Sequence, residues 1–186
     1  MTITRLVFII GFLGTGGAIA QIKEPADVRE PFPLSATVQA KGDYFKNFWR
    51  KIPCKAGSLR ADIVVEELLP AKRNEMGAAV QVYSDNVVRS LYIQTKIVGP
   101  SPLTAVIDEH IDDRSGRTTQ HPVGGDFHLG EPISVEVVWT QKEVAFFLRE
   151  HRLWTFRIPE PTDLILMATG SRTRFDHISV SCGMIS

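Results

Sequence analysis

Residues 133–158, ISVEVVWTQKEVAFFLREHRLWTFRI, decide the fold class of this chain. Between 133 and 139 every second residue is apolar, which puts the apolar side chains on one face of a β-strand and the polar ones mainly on the other. The alternation starts again in residues 144–148 after a short break, and a turn at 149–152 leads into a third apolar run at 153–158. The stretch therefore predicts a three-stranded antiparallel meander, with Trp139 in the core.

The rest of the chain continues this pattern of short strands separated by turn residues. The segments are rich in Val, Ile, Phe and Thr, which favour strands. They are 34–40, 59–69, 78–83, 87–98, 104–111, 133–140, 143–149, 152–158, 164–169 and 175–182. Ten short strands in about 150 residues predict an all-β, antiparallel sandwich or barrel. Residues 70–77 and 112–126 are predicted to be its longest loops.

Several of these strands resemble those of the concanavalin A-like lectin/glucanase superfamily. The similar blocks are residues 57–65, 133–139, 144–148, 153–156 and the closing strand FDHISV at 175–180. The resemblance covers residues 55–182 and implies an antiparallel β-sandwich of jelly-roll type. The chain departs from the family at Arg149-Glu-His-Arg152, where family members carry an Asn-Gly or Asp-Gly hairpin, so the sequence leaves the register there open.

The carboxylate pattern disfavours a glucanase of this superfamily. Retaining hydrolysis needs two carboxyls about 5–5.5 Å apart, which these enzymes place on one strand as Glu-x-Asp-x-(x)-Glu. Here Glu66 and Glu67 are adjacent and face opposite sides, and Glu136 and Glu143 have no carboxylate two residues away. A pair assembled from separate strands stays open. The galectin signatures His-Asn-Arg and Trp-Glu-Arg are absent, and no nucleotide or zinc motif implies a cofactor.

The first twenty residues have the three parts of a cleavable secretory signal peptide. Arg5 supplies the positive charge, an apolar segment follows at 6–13, and Ala18-Ile-Ala20 is a small-residue cleavage site. We expect cleavage after Ala20, a linker-like lead-in over 21–33 with three prolines, and a single domain over 34–186. The protein is then secreted or periplasmic.

The two cysteines, the net charge and the lengths of the apolar runs indicate where the protein acts and what it does not bind. In an oxidising compartment Cys54 and Cys182 can form only one disulfide; two separately buried thiols are the alternative. Removing residues 1–20 leaves a formal charge of −1, which gives no electrostatic signature for nucleic acid. No later apolar run reaches the roughly 20 residues that a membrane span needs.

The densest polar cluster is the segment DEHIDD at 108–113. On a strand Asp108, His110 and Asp112 share one face, while Ile107, Glu109 and Ile111 occupy the other. A charged, solvated strand is the simplest interpretation. A metal site, helped by His121 or His128, and a sugar-contacting face are the alternatives.

Aromatic residues supply the other candidate site. Trp139 and Trp154 are in phase with apolar neighbours, which predicts core positions for both. Trp49 lies in YFKNFWRK at 44–51, which has no clean period. Either its aromatics cover one end of the sandwich, or Tyr44 and Trp49 form a stacking platform for sugar rings, with Arg50 and Lys51 as hydrogen-bond donors.

Three functions follow from these observations, in order of preference. The first is a non-catalytic, lectin-like carbohydrate-binding domain, with Tyr44, Trp49, Arg50, Asp108, His110 and Asp112 as candidate ligand residues. The second is a structural or protein-interaction domain of the cell envelope. The third is a polysaccharide-active enzyme.

Overall fold

The fold consists of strands, turns and loops. The computed structural model describes residues 31–41, 45–69, 76–85, 87–95, 103–111 and 117–183. The strands are β1 (Ala36–Gln39), β2 (Phe45–Lys51), β3 (Gly57–Leu68), β4 (Gly77–Ser84), β5 (Val87–Thr95), β6 (Leu103–Ile111), β7 (Thr118–Phe127), β8 (Ile133–Trp139), β9 (Glu143–Leu148), β10 (His151–Arg157), β11 (Asp163–Thr169) and β12 (Ser171–Cys182). The described residues contain no helix with the length and apolar character that crossing a membrane requires.

The strands form two six-stranded antiparallel sheets that pack face to face. The first sheet has the order β1-β12-β3-β8-β9-β10, and the second has the order β2-β11-β4-β5-β6-β7. Their inner faces share one apolar core, which includes Leu59, Leu91 and Phe146. This arrangement confirms the predicted all-β, antiparallel sandwich of jelly-roll type.

The meander predicted from residues 133–158 is present as β8, β9 and β10. Trp139 is fully buried, as predicted, and Val144 and Phe146 of β9 are fully buried beside it. The turn between β9 and β10 is a two-residue hairpin without glycine: Arg149 and Glu150 have φ values of 48° and 68°. Positive φ at both positions is typical of the hairpin turn that Asn-Gly usually forms. The chain therefore makes a tight two-residue turn here without Asn-Gly or Asp-Gly.

A disulfide closes one end of the sandwich. Cys54 and Cys182 are bonded; their Cα atoms are 5.9 Å apart and their sequence separation is 128. The indole N–H of Trp139 donates to the carbonyl of Cys54 at 3.0 Å. Gly57 is required here, because a Cβ at this position would lie 2.2 Å from the Ser181 carbonyl and 2.7 Å from the Trp139 ring. The predicted disulfide is thus confirmed and packs against the core tryptophan.

Two strands differ from the sequence prediction, and both are at a sheet edge. Residues 112–126 were expected to form a loop because of their Pro and Gly content, yet β7 occupies Thr118–Phe127. As an edge strand, β7 tolerates Pro122, and register shifts in its pairing with β6 accommodate the glycines. β2 was not predicted as a strand, because its exposed edge carries charged residues that interrupt the apolar alternation.

Predictions for the chain's first thirty residues lie outside the described residues. These are the signal peptide and most of the lead-in. The same is true of residues 70–75 in the predicted loop at 70–77, whose last residue, Gly77, begins β4.

Candidate functional site

The outer face of the second sheet carries an unbroken row of residues in register. One residue from each of the six strands takes part, so the row runs perpendicular to the strands. We call it the central row: Trp49, Ile165, Gln81, Ser90, Asp108 and Gln120. Adjacent strands lie about 4.8 Å apart, so Trp49 on β2 and Asp108 on β6 are separated by about 19 Å.

Trp49 is held in place at one end of this row. Its indole N–H donates to a carboxylate oxygen of Asp163 at 2.7 Å. Its ring lies 6.0 Å from that of Tyr83, at an interplanar angle of 49°. Asp163 is only 2% exposed, and its charge is balanced by the Lys51 ammonium at 2.8 Å. These contacts fix the ring on the sheet surface. The Trp49 side chain therefore loses little conformational entropy when a ligand packs on it.

Neutral polar side chains occupy the middle of the row. The amide nitrogen of Gln81 donates to the Ser90 hydroxyl at 3.1 Å and to the Tyr92 hydroxyl at 3.2 Å. Gln81 and Ser90 are buried although they point away from the core. The same face also carries buried apolar residues: Ile165 of the row and the nearby Ala79 and Met167 form a small cluster with Trp49, Tyr83 and Tyr92. The face therefore combines aromatic surface with amide and hydroxyl groups.

The predicted site residues are divided between the two faces of the sheet. Trp49, Asp108 and His110 lie on the same outer face, and a ring nitrogen of His110 is 2.9 Å from the Thr118 hydroxyl. Arg50 alternates with Trp49 and shares the phase of the core-packed Phe48, over whose ring its guanidinium lies at 4.0 Å. Lys51, not Arg50, is the cation beside Trp49 on the outer face.

Two other predicted residues, Tyr44 and Asp112, lie outside the described residues. His121, proposed as a helper for a metal at Asp108, is paired with Ile107 and so belongs to the inner face of the sheet. Among the residues that the structure describes, no three His, Cys, Asp or Glu side chains lie close enough together to hold a metal ion. Glu109 points inward as predicted and pairs with Arg89 at 2.8 Å.

Gln81, Ser90 and Tyr92 lie on this face but were not predicted as site residues. A signal for them exists in the alternation of β4 and β5, which places Gln81 and Tyr83 on one face of β4 and Ser90 and Tyr92 on one face of β5. What the sequence does not contain is the neighbour relation between β11 and β4, which are far apart in the chain.

Trp154 was predicted to be in the core, and this prediction is wrong. Its side chain is 42% exposed, and its ring stacks on that of His121 with centroids 4.5 Å apart. β10 is the last strand of the first sheet, and its pairing with β9 shifts register between Arg152 and Trp154. Trp154 therefore lies at the edge of the sandwich and not at its centre, although it is in phase with the apolar residues of its strand.

The outer face of the first sheet is charged. A guanidinium nitrogen of Arg60 lies 2.9 Å from a Glu136 carboxylate oxygen, and this contact raises the pKa of Arg60. A shallow cavity of about 310 Å³ lies beside the pair, lined by Arg60, Ser134, Val135, Glu136, Phe147 and Glu150. Since the Glu136 carboxylate is paired with a cation, the cavity does not resemble a site with a free carboxylate pair.

Comparisons with solved structures place this architecture among known folds. The carbohydrate-binding module CBM66 from Bacillus subtilis aligns with a TM-score of 0.51 at 9% identity, covering 78% of this chain and 86% of that chain. A variant of the GH43 protein BlXynB from Bacillus licheniformis gives a TM-score of 0.55 at 12% identity, covering 77% of this chain and 32% of that chain. A variant of human galectin-16 gives 0.50 at 14% identity, covering 73% and 95%.

The chain shares the jelly-roll fold of these structures. The alignments confirm the fold that the strand-pattern resemblance implied. No family model and no curated protein sequence matches the chain. At identities of 9–14% the alignments show the fold alone.

Proposed function

We propose that this protein binds carbohydrate, without catalysis, along the central row of the second sheet. The observation that carries the proposal is that a fixed, partly exposed indole, Trp49, shares one row with the partly exposed carboxylate of Asp108, across the buried polar pair Gln81 and Ser90. Sugar rings present apolar C–H faces that pack on aromatic rings, and their hydroxyls need donors and acceptors nearby.

The dimensions of the row suit an extended glycan more than a single sugar. About 19 Å separate Trp49 from Asp108 across four strand spacings. A chain lying along the row would stack one ring at Trp49, pass over the buried Ser90 and direct a hydroxyl of a later unit to the partly exposed Asp108. The hydroxyl donates and the carboxylate accepts.

Stacking should dominate the affinity at this site. Hydrogen bonds to sugar hydroxyls largely replace hydrogen bonds to water, so each contributes only about 0.5–1.5 kcal/mol. An aromatic ring that is already ordered gains apolar contact without losing further freedom. Trp49 is therefore the residue whose loss should weaken binding most.

The arrangement of carboxylates supports binding over hydrolysis. On the described part of this face the row and its neighbours carry Asp108 and Asp163. These lie on β6 and β11, three strand spacings or about 14 Å apart. Retaining hydrolysis needs about 5–5.5 Å between its two carboxyls. In addition, Asp163 is engaged with Trp49 and Lys51.

We also propose that the protein is exported and that its single domain begins after a cleaved signal peptide and a short lead-in. The disulfide between Cys54 and Cys182 supports an oxidising compartment, secreted or periplasmic. Intact-mass analysis of exported protein should give a chain beginning at Gln21. Recovery of exported chain that still contains Met1 would contradict cleavage.

The binding proposal is tested on a glycan array probed with the purified protein, with and without calcium. We expect at least one extended glycan to bind the wild type. Trp49→Ala should weaken that binding more than tenfold, a loss of more than about 1.4 kcal/mol. Trp49→Phe, which keeps an aromatic face, should lose much less, and Glu66→Gln on the other sheet should bind like wild type. Binding that survives Trp49→Ala unchanged would contradict the proposed site.

A further inference from the structure

The outermost strands of the two sheets differ in how well their free edges are protected. These strands are β1 and β10 in the first sheet and β2 and β7 in the second. In an antiparallel sheet, alternate residues of an outermost strand direct their backbone N–H and C=O groups away from its only neighbour. Such groups can pair with another chain, so natural edges are usually blocked in some way.

The β7 edge is blocked by a proline. The N–H of Ile111 donates to the carbonyl of Arg117 at 3.0 Å, which fixes the phase of the ladder between β6 and β7. The register from that pair makes Thr118, Gln120 and Pro122 the outward residues. Because proline has no N–H, an added strand cannot complete its ladder across the middle of this edge.

The β2 edge is partly occupied, and the β1 edge is short. The N–H of Ile52 donates to the carbonyl of Thr162 at 2.9 Å, so Trp49 is an outward residue of β2. The Trp49 carbonyl already accepts a hydrogen bond from the Arg50 guanidinium at 2.9 Å. An added strand would have to break that bond. β1 has only four residues and therefore offers few ladder bonds.

The β10 edge keeps its backbone groups available. The N–H of Ile158 donates to the carbonyl of Lys142 at 3.0 Å, and the register from that pair makes Thr155 and Arg157 outward residues. No second strand of the sheets pairs with them, because β10 is the last strand of its sheet. The strand spans seven residues, and none of them is proline.

The charge of the β10 edge is not balanced within the described part of the chain. β10 contains Arg152 and Arg157 but no acidic residue. In the middle of the same sheet, Arg60 is paired with Glu136 at 2.9 Å. Over the residues that the structure describes, neither arginine of β10 has such a carboxylate partner. Nε of Arg152 donates instead to the Thr155 hydroxyl at 2.9 Å. A partner that brings carboxylates to this edge would therefore be attracted.

The other side of β10 carries an exposed aromatic ring. Trp154 is opposite the buried Phe146 in the register, yet 42% of its area is exposed, and its ring stacks on that of His121 at 4.5 Å. Successive side chains of an added strand would point to opposite faces of the sheet. One face would meet Trp154, and the other would meet the two arginines. The edge therefore fits a segment in which apolar and acidic residues alternate.

We propose that β10 is a docking edge for an extended peptide of alternating acidic and apolar residues, which binds as an additional strand of the first sheet. Backbone hydrogen bonds to Thr155 and Arg157 hold the peptide, and the arginines and Trp154 select its side chains. A second copy of β10 fits less well, because it would add two arginines and no carboxylate, and like charges on facing strands destabilise their pairing. The proposal does not depend on carbohydrate binding along the central row.

The test titrates the ¹⁵N-labelled protein with a short capped peptide of alternating Glu and Val. We expect the peptide to bind and to slow hydrogen exchange of the Thr155 and Arg157 amides by about tenfold or more. Two control peptides should bind at least about tenfold more weakly. One alternates Lys and Val, which reverses the charge. The other is the Glu/Val peptide with N-methylated amides, which cannot form the ladder.

Variants of the protein test the two kinds of contact separately. Thr155→Pro removes an outward N–H without removing a bond to β9, and should weaken binding of the Glu/Val peptide by about tenfold. Thr37→Pro, its matched control, changes an outward residue of β1 at the opposite edge of the same sheet and should bind like wild type. Arg152→Gln/Arg157→Gln should weaken binding by about tenfold at low salt and by less at high salt.

The proposal is overturned if the Glu/Val peptide does not bind, if N-methylation leaves its affinity unchanged, or if the Lys/Val peptide binds as tightly. Dimerisation of the protein through β10 would also overturn it, because the occupant would then be a second copy. Alginate, an anionic polysaccharide, supplies the last control. If it bound the two arginines more tightly than the peptide, without protecting the Thr155 amide, the edge would be a polyanion site and the proposal would be wrong.

Discussion

The outer faces of the two sheets are built by the same strand alternation but differ in chemistry. On the first sheet, Arg60 pairs with Glu136 at 2.9 Å, and Glu66 lies 3.0 Å and 2.9 Å from Arg172 and Arg174. On the second sheet, the corresponding surface carries aromatic rings, amides and hydroxyls around Trp49. The first face satisfies its charges internally, and the second presents groups suited to an uncharged partner.

This difference has an energetic basis. Exposed ion pairs contribute about 0–1 kcal/mol each and keep their water, so a ligand that covered them would have to remove that water from charged groups. Aromatic surface has the opposite property, because covering it removes apolar area from water at about 25 cal/mol per Å². This energetic difference favours the second sheet for the proposed binding.

The largest expected effect on stability comes from removing the disulfide, which supports both sheets and so both faces. The double replacement Cys54→Ser/Cys182→Ser opens a loop spanning 128 residues. It should lower the free energy of unfolding by about 4–5 kcal/mol in the chain-entropy model. For a domain of this size each kcal/mol shifts Tm by roughly 2–4 °C, so thermal unfolding measures the loss readily. Glycan affinity well below Tm should be unchanged, because the bond lies on neither outer face.

A smaller effect, confined to the second sheet, is expected for Asp163→Ala. The replacement removes the acceptor for the Trp49 indole and the partner of Lys51, which should cost about 1–3 kcal/mol of stability. Because Trp49 is no longer fixed, glycan affinity should fall as well. Asp163→Asn keeps one acceptor oxygen and should recover part of both losses. If Asp163→Ala lowered stability but left affinity unchanged, the fixed ring would not matter for binding.

The matched substitution on the first sheet, Glu66→Gln, should have little effect on stability or on glycan affinity. Glu66→Gln removes the anionic partner of Arg172 and Arg174 on an exposed surface. We expect at most about 1 kcal/mol of destabilisation by chemical denaturation, and this loss should decrease at high salt. Glycan affinity should equal that of wild type. A clear drop in affinity would mean that the charged face takes part in binding.

The smallest expected effect is on the pH dependence of stability. It concerns Glu131, which lies in the loop between β7 and β8 and on neither outer face. The pKa of Glu131 is lowered, first by the backbone N–H of His128 at 2.9 Å and also by Arg149. A carboxyl with a depressed folded-state pKa contributes stability above its unfolded pKa of about 4.3, and this contribution is lost as the pH falls through the folded pKa. Glu131→Gln should therefore lower Tm slightly at neutral pH, where the ionised carboxyl contributes stability, and this difference from wild type should shrink as the pH falls below about 4.3.

Much of the fold could be predicted because it depends on local alternation. The period of two in residues 133–158 is sufficient to predict β8, β9, β10 and the burial of Trp139. The prediction failed where a sheet ends. Pro122 concealed the edge strand β7, and Trp154 was assigned to the core because alternation gives the side of a sheet but not the distance from its edge.

The candidate site was harder to predict because it depends on strand order. The aromatic stretch at 44–51 identified Trp49, and the acidic strand identified Asp108 and His110. Gln81 and Ser90 became visible only once β2, β11, β4 and β5 were seen as neighbours. That order pairs Ile165 of β11 with Gln81, 84 positions away, and with Trp49, 116 positions away, and nothing in the local pattern of these segments contains it.

The most direct test of the central claim is backbone-amide NMR mapping of the protein with the best glycan from the array. Shift changes should follow the central row across the sheet, from Trp49 through Gln81 and Ser90 to Asp108, and should be absent around Arg60 on the first sheet. Changes that cluster at Arg60 and leave the central row unmoved would contradict the account.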